Sequence, residues 1–325
     1  MKTISLTIPL TQYGNSMLGA NLEIGIPPQK VTLLISTQSP ITWLFDNTID
    51  LGGLGGKKDK YGHRSSSTFK TMGASYEWTN GRATAKGVIG ADIFTAHDTR
   101  ERTLSGYHIT SAVRSIGFHS FGLITSVKDW DQFMVGDGML GLATGQVPMS
   151  IYKATKVEPN FVSNVAGNTA STVMTLWIDI RGSAQMSPIS GQLTFGSVDP
   201  EHCRTNSTRW VDRTDDALWQ FRLHSVRVPS LKQKLELTQS ATSNKFIQGH
   251  FALKASSNRG YVYGPNVTVQ ALAKLVGAEY DWKEHSYSIT CEKRNRGPVI
   301  EFELDGGQFI TVGPQHYVIQ VSLGA

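Results

Sequence analysis

Short apolar stretches that alternate with polar residues, each cut off by a glycine- or proline-bearing turn, run along this chain and leave little room for long helices. Leu18-Gly-Ala-Asn-Leu-Glu-Ile24 alternates toward a turn at Gly25-Ile-Pro-Pro28, and Val31-Thr-Leu-Leu-Ile35 follows as a buried-strand run. Tyr76-Glu-Trp-Thr79 and Ala85-Lys-Gly-Val-Ile-Gly90 lie on either side of Asn80-Gly81, a dipeptide that accepts the positive φ angles of a tight hairpin turn. Gly191-Gln-Leu-Thr-Phe-Gly196 reads as another strand, followed by a turn at Asp199-Pro200. The better helical segments are Pro148–Lys156 and Val267–Val276, the second with Asn266 placed to cap it. The pattern predicts a mainly β protein.

At 325 residues the chain can build one large or two medium domains, each with its own core. A hydrophobic share of 39% against 18% charged residues excludes a disordered chain. The net charge of +5 is spread thinly, and its densest runs, Lys57-Lys58-Asp59-Lys60 and Lys293-Arg294-Asn295-Arg296, sit in turn-like surroundings. They read as solvated loops, so no nucleic-acid partner is expected. Met1–Leu10 lacks the sustained apolar core and small-residue cleavage site of a secretory leader, and no window reaches the length of a membrane span. An intracellular location without a membrane partner is therefore expected, unless the sequence is that of a mature domain.

Two cysteines, Cys203 and Cys291, exclude a disulfide-dense scaffold and leave a single bridge open. The nine histidines include no His-Glu-x-x-His pair, and Cys203 beside His202 is not by itself a ligand set, so no metal is expected. Gly136-x-Gly138-x-x-Gly141 matches the dinucleotide fingerprint, but Leu142-Ala-Thr-Gly-Gln-Val-Pro148 breaks the helix that such a motif must open. No cofactor is expected there.

Several segments, taken in order, resemble the pepsin family of aspartic proteases. Asn21-Leu-Glu-Ile-Gly-Ile-Pro-Pro-Gln-Lys-Val31 is similar to the family's "IGTPPQ" strand and turn, and Ser66-Ser-Thr-Phe-Lys70 to "SSTYK". Gly87-Val-Ile-Gly-Ala-Asp92 is similar to "GxLGxD", Gly136-Asp-Gly-Met-Leu-Gly-Leu-Ala143 to "FDGILGLA" and Gly191-Gln-Leu-Thr-Phe-Gly-Ser-Val-Asp199 to "GELTFGGVD". Trp219-Gln-Phe221 with Ser225-Val226 resembles "YWQFxxxSV". The resemblance implies a bilobal β fold with a central cleft, an N-terminal lobe over 1–199 and a C-terminal lobe over 200–325. It also implies a second lobe shortened at its C-terminus, either naturally or because a segment is missing from this sequence.

In that family two carboxylates, one from an Asp-Thr-Gly turn in each lobe, share a proton and activate a water. Here the first turn falls on Ile35-Ser36-Thr37-Gln38-Ser39, which puts Ser36 at the aspartate position and Gln38 at the glycine. The tryptophan that follows this loop in the family matches Trp43. Counting back from Gly264-Pro265 puts the second turn at Ser256-Ser257-Asn258, and a small shift brings Lys254 or Ala255 to the aspartate position instead. No Asp or Glu occurs from Gln248 to Tyr263. A serine hydroxyl titrates far above neutrality and does not replace a carboxylate as general base without a partner.

The family's flap tyrosine falls on Thr79 or Asn80, with Tyr76 and Trp78 close by either as an aromatic lid or as strand residues packing on the sheet. Ser36, Gln38, Trp78, Asn80, Lys254, Ser256 and Asn258 are thus the residues expected to line a cleft that no longer cuts peptides. Three readings stay open. They are a binding protein for a small-molecule or peptide ligand, a repurposed enzyme that cyclises or isomerises a small molecule, and an interaction protein completed by a second copy or a partner chain.

Overall fold

The structure, a computed structural model, describes residues 5–13, 17–51, 60–80, 83–98, 102–104, 107–109, 112–130, 136–145, 160–179, 190–214, 216, 218–231, 233–235, 266–283 and 285–318. They divide into two compact units, one reaching to Thr208 and taking in Asp216 and Leu218, the other starting at Arg209. The division falls after the Asp199-Pro200 turn at which the sequence places the boundary.

The first unit contains strands β1 (Leu6–Tyr13), β2 (Met17–Ile24), β3 (Gln29–Ser36), β4 (Trp43–Phe45), β5 (Lys70–Asn80), β6 (Ala83–Asp98), β7 (Arg102–Leu104), β8 (Tyr107–Ile109), β9 (Ala112–Lys128), β10 (Gly138–Gly141), β11 (Met174–Ile178) and β12 (Gly191–Phe195). Ten of them make one sheet in the order β11-β12-β1-β2-β3-β10-β4-β9-β6-β5, while β7 and β8 pair with each other. β2 changes partner halfway along one edge: Ala20 faces Leu10 of β1, whereas Leu22 and Ile24 face Ala96 and Phe94 of β6. Its other edge pairs with β3 from Gly19 to Ile24. The path β2-β3-β10-β4-β9-β6 therefore returns to β2 and closes on itself, which removes exposed strand edges from that part of the sheet.

The apolar run in β3 is explained by burial on both faces. Leu33 and Ile35 join a core with Ile8, Leu22, Phe94, Phe121, Phe161 and Phe195. Leu34 points the other way, into a second core with Trp43, Phe45, Tyr76, Ile89 and Met139. β5 and β6 form the expected hairpin. Its closing pair is Asn80 with Ala83, and the residues between them lie outside the described ones.

Helix α1 (Phe161–Asn168) packs Phe161, Val162 and Val165 into the first core. Asn160 caps it, its side chain accepting a hydrogen bond from the Ser163 amide at 3.0 Å. The helix expected over Pro148–Lys156 lies outside the described residues.

The second unit is built on β13 (Leu223–Val228), β14 (Gln233–Leu235), β17 (Ile300–Leu304) and β18 (Gln308–Val312), in the order β14-β13-β17-β18, with β15 (Glu279–Asp281) and β16 (Ser286–Ser288) as a separate hairpin. Helix α2 (Asn266–Val276) matches the predicted segment and starts at Asn266. Its Leu272 and Val276 pack on a core of Leu223, Val226, Ile300 and Leu304. Among the described residues no helix is long and apolar enough to cross a membrane.

Candidate functional site

Ser36 is the last residue of β3 and lies opposite Gly141 in the parallel pairing with β10. It is buried, and its carbonyl accepts a hydrogen bond from the Leu142 amide at 2.7 Å. Its Oγ accepts from the Gln38 amide at 3.3 Å, so the hydroxyl closes a local turn while the Gln38 side chain stands exposed. Ser39 repeats the device, its Oγ donating to the Ile41 carbonyl at 2.9 Å and accepting from the Ile41 amide at 3.2 Å.

The loop is sewn to the exit of β10. The Ala143 amide donates to the Ser39 carbonyl at 3.1 Å, and the Gly141 amide donates to Oγ1 of fully buried Thr42 at 3.2 Å. Asn160 holds the same exit from another side, donating from Nδ2 to the Ala143 and Gly145 carbonyls at 2.7 and 3.3 Å. This crowding accounts for two glycines of the apparent dinucleotide motif. A Cβ on Gly141 would lie 2.8 Å from the Ser39 carbonyl oxygen, and one on Gly138 would lie 2.1 Å from that of Trp43. Both glycines belong to strand β10, which is not a helix opening over a phosphate.

Beyond the loop, the second core becomes an aromatic cluster. Trp43 packs edge-on against Phe45 at 5.1 Å between centroids, and Trp78 lies 5.5 Å from Trp130. Phe45 meets Trp130 edge-on at 5.3 Å. Among the described residues, the Nε1 atoms of Trp43 and Trp130 are both buried without an acceptor, a costly state for an indole N–H. Tyr76 is buried against Gly122, and burial pushes its phenol pKa up. Of the sequence-derived cleft residues, Trp78 joins this cluster, Ser36 and Gln38 shape the loop after β3, and Asn80 ends β5. Lys254, Ser256 and Asn258 lie outside the described residues.

Four aspartates of the first unit are buried among the described residues, and neighbouring donors hold each of them. Asp92 accepts from Tyr61 Oη at 2.7 Å, from the Ile93 amide at 2.8 Å and from Thr68 Oγ1. Burial first, then the Asp92 carboxylate, raises the Tyr61 phenol pKa. Asp137 accepts from the Thr32 amide at 2.7 Å, and Asp46 accepts from Thr48 Oγ1 at 2.7 Å and faces His63 Nδ1 at 3.1 Å. The fourth, Asp199, takes the side-chain amide of Gln192 at 2.9 Å. Cys203 and Cys291 are free thiols.

Sequence reasoning missed Asn160, Thr42 and Trp130. Asn160 had a readable signal, an asparagine placed before Phe161-Val162 and Val165 at helical spacing. Thr42 and Trp130 act through partners distant in sequence and had none.

The chain is 23% identical over 322 residues to Aspartic protease 1 of Caenorhabditis elegans, across 97% of this chain and 72% of that one. It is 22% identical over 316 residues to chymosin of Bos taurus, covering 97% of this chain and 72% of the relative. The crystal structure of the aspartic proteinase from Irpex lacteus superposes with a TM-score of 0.59 at 17% identity, over 95% of this chain and 79% of that one. The sequence pattern defining the eukaryotic aspartyl proteases matches residues 18–325. The chain therefore belongs to the eukaryotic aspartyl protease family.

Proposed function

We propose that this member of the family does not hydrolyse peptides by the aspartic mechanism, and that it binds a small-molecule or peptide ligand. The observation that carries this reading is Ser36. It stands in the turn that matches the family's first Asp-Thr-Gly, and its hydroxyl is a turn acceptor for the Gln38 amide. No Asp or Glu occurs in Thr37–Phe45 to take over, and none occurs between Glu236 and Glu279, the stretch holding both alignments of the second turn. Aspartic hydrolysis needs one carboxylate as base and a second as acid, so losing both removes the reaction.

The test is digestion of an acid-denatured protein by the purified chain, with pepstatin as control and chymosin alongside. No pepstatin-sensitive peptides are expected. Their appearance at rates near those of chymosin overturns the proposal. Saturable binding of pepstatin or a statine-free peptide, read as a rise in melting temperature, supports the binding half. No shift with any peptide removes peptides from the ligand class.

A further inference from the structure

The turn after β12 gathers Asp199, Glu201 and His202, whose ligating atoms all lie within 4.8 Å of one another. Asp199 is buried, and its carboxylate is fixed on both oxygens. Gln192 Nε2 reaches Oδ2 at 2.9 Å, and the Glu201 amide donates to Oδ1 at 3.0 Å. Its backbone is anchored as well, the amide donating to Thr175 Oγ1 at 3.3 Å and the carbonyl accepting from the Cys203 amide at 3.0 Å.

On this rigid base His202 is held twice. Nδ1 lies 2.7 Å from Asp199 Oδ2, and the ring stacks on Trp177 of β11 at 3.6 Å between centroids and 18° between planes. With Nδ1–H donating to the carboxylate, the lone pair of the neutral ring sits on Nε2. A buried carboxylate that fixes the tautomer and direction of a half-exposed imidazole is how proteins prepare a histidine for a metal ion. The exposed Glu201 carboxylate lies beside it.

We infer that this turn is a binding site for a divalent transition ion of the zinc class, ligated by His202 Nε2 and the Glu201 carboxylate, with Asp199 as the positioning residue. Imidazole nitrogen selects Zn²⁺, Cu²⁺, Ni²⁺ or Co²⁺ over Mg²⁺ and Ca²⁺, which prefer all-oxygen shells. Water fills the remaining positions. Sequence spacing hides the site because only Cys203 beside His202 catches the eye, whereas the carboxylates come from a turn and the stacking ring from another strand. The site stands independently of the reading of Ser36.

The experiment titrates the full metal-free chain with ZnCl₂ by calorimetry, with CaCl₂ as comparison. One Zn²⁺ per chain is expected, weakened about tenfold or more in both His202→Gln and Glu201→Gln, with no matching Ca²⁺ heat. Cu²⁺ is expected to quench tryptophan emission in the native chain and less in Trp177→Phe, because the bound ion sits against that indole. The chain carrying Cys203→Ser and Cys291→Ser is expected to bind Zn²⁺ as the native chain does. Absence of stoichiometric binding, unchanged affinity in Glu201→Gln, or loss of binding in the double serine chain each overturns the site. Glu201 is exposed, so its variant keeps the test decisive even if His202→Gln does not fold.

Discussion

The indole of Trp78, on the β5 arm of the hairpin, packs on that of Trp43, the first residue of β4, at 5.6 Å between centroids and 43° between planes. The end of β5 is thereby anchored to the strand that follows the Ser36 loop. Trp78→Ala is expected to destabilise the protein by about 3 kcal/mol, at the low end for deleting a buried aromatic because Trp78 is only half-buried. Trp78→Phe should recover more than half of that. Urea unfolding followed by tryptophan emission measures both.

Ser36→Asp restores one carboxylate and not the pair. Proteolysis of an acid-denatured substrate is expected to stay at the blank level, because one acid cannot act as base and proton donor in the same step. At neutral pH the variant should be about 1–3 kcal/mol less stable, since a charge enters a buried position. Pepstatin-sensitive cleavage by this variant would show that a second carboxylate reaches the site.

Tyr61 and Tyr76 both have phenol pKa values raised by burial, Tyr61 also by Asp92. The folded state therefore holds these protons more tightly than the unfolded chain, in which tyrosine titrates near about 10. Their contribution is full below that pH and is lost as pH rises above it, by about 1.4 kcal/mol per pH unit for each tyrosine. Chemical denaturation between neutral and strongly alkaline pH should show this fall, and Tyr61→Phe should make it shallower. Below the tyrosine range Tyr61→Phe should cost about 1–3 kcal/mol, because it leaves a buried Asp92 oxygen short of a donor.

Two glycines should answer alanine in opposite ways. At Gly138 a new Cβ meets the Trp43 carbonyl oxygen, a backbone atom with no rotamer to yield, so about 3 kcal/mol or more should be lost. Gly167 lies within α1 with open space where a Cβ would go. There alanine should add about 0.5–1 kcal/mol by removing backbone entropy from the unfolded chain. Thermal melting of the two variants beside the parent decides both signs.

The parts of the fold that the sequence announced are those whose cause is local. β2, β3, the β5–β6 hairpin and β12 follow from alternation and turn chemistry within ten or so residues. Helix α2 was legible from its spacing, although Asn266, expected as its cap, is its first helical residue. By contrast β4 is three residues long, and α1 offers only two turns of periodicity. Both exist because of partners far along the chain: β4 lies between β10 and β9, and α1 lies on the first core. The site divides the same way. The loop after β3 was read residue by residue at Ser36 and Gln38, but the Ser39–Ala143 hydrogen bond and the Ile41–Asn160 bridge join segments more than a hundred residues apart.

β1 pairs on one side with β2, Leu10 facing Ala20, and on the other with β12, Leu6 facing Phe195. During synthesis β1 emerges well before its second neighbour, β12, has been made. Until then one flank of β1 presents bare amides and carbonyls to anything nearby, the condition under which nascent chains pair wrongly or recruit chaperones. A fragment ending before Gly191 keeps that flank bare for good. Stop codons, trimming and domain dissection upstream of β12 should therefore yield aggregates, not a smaller folded lobe.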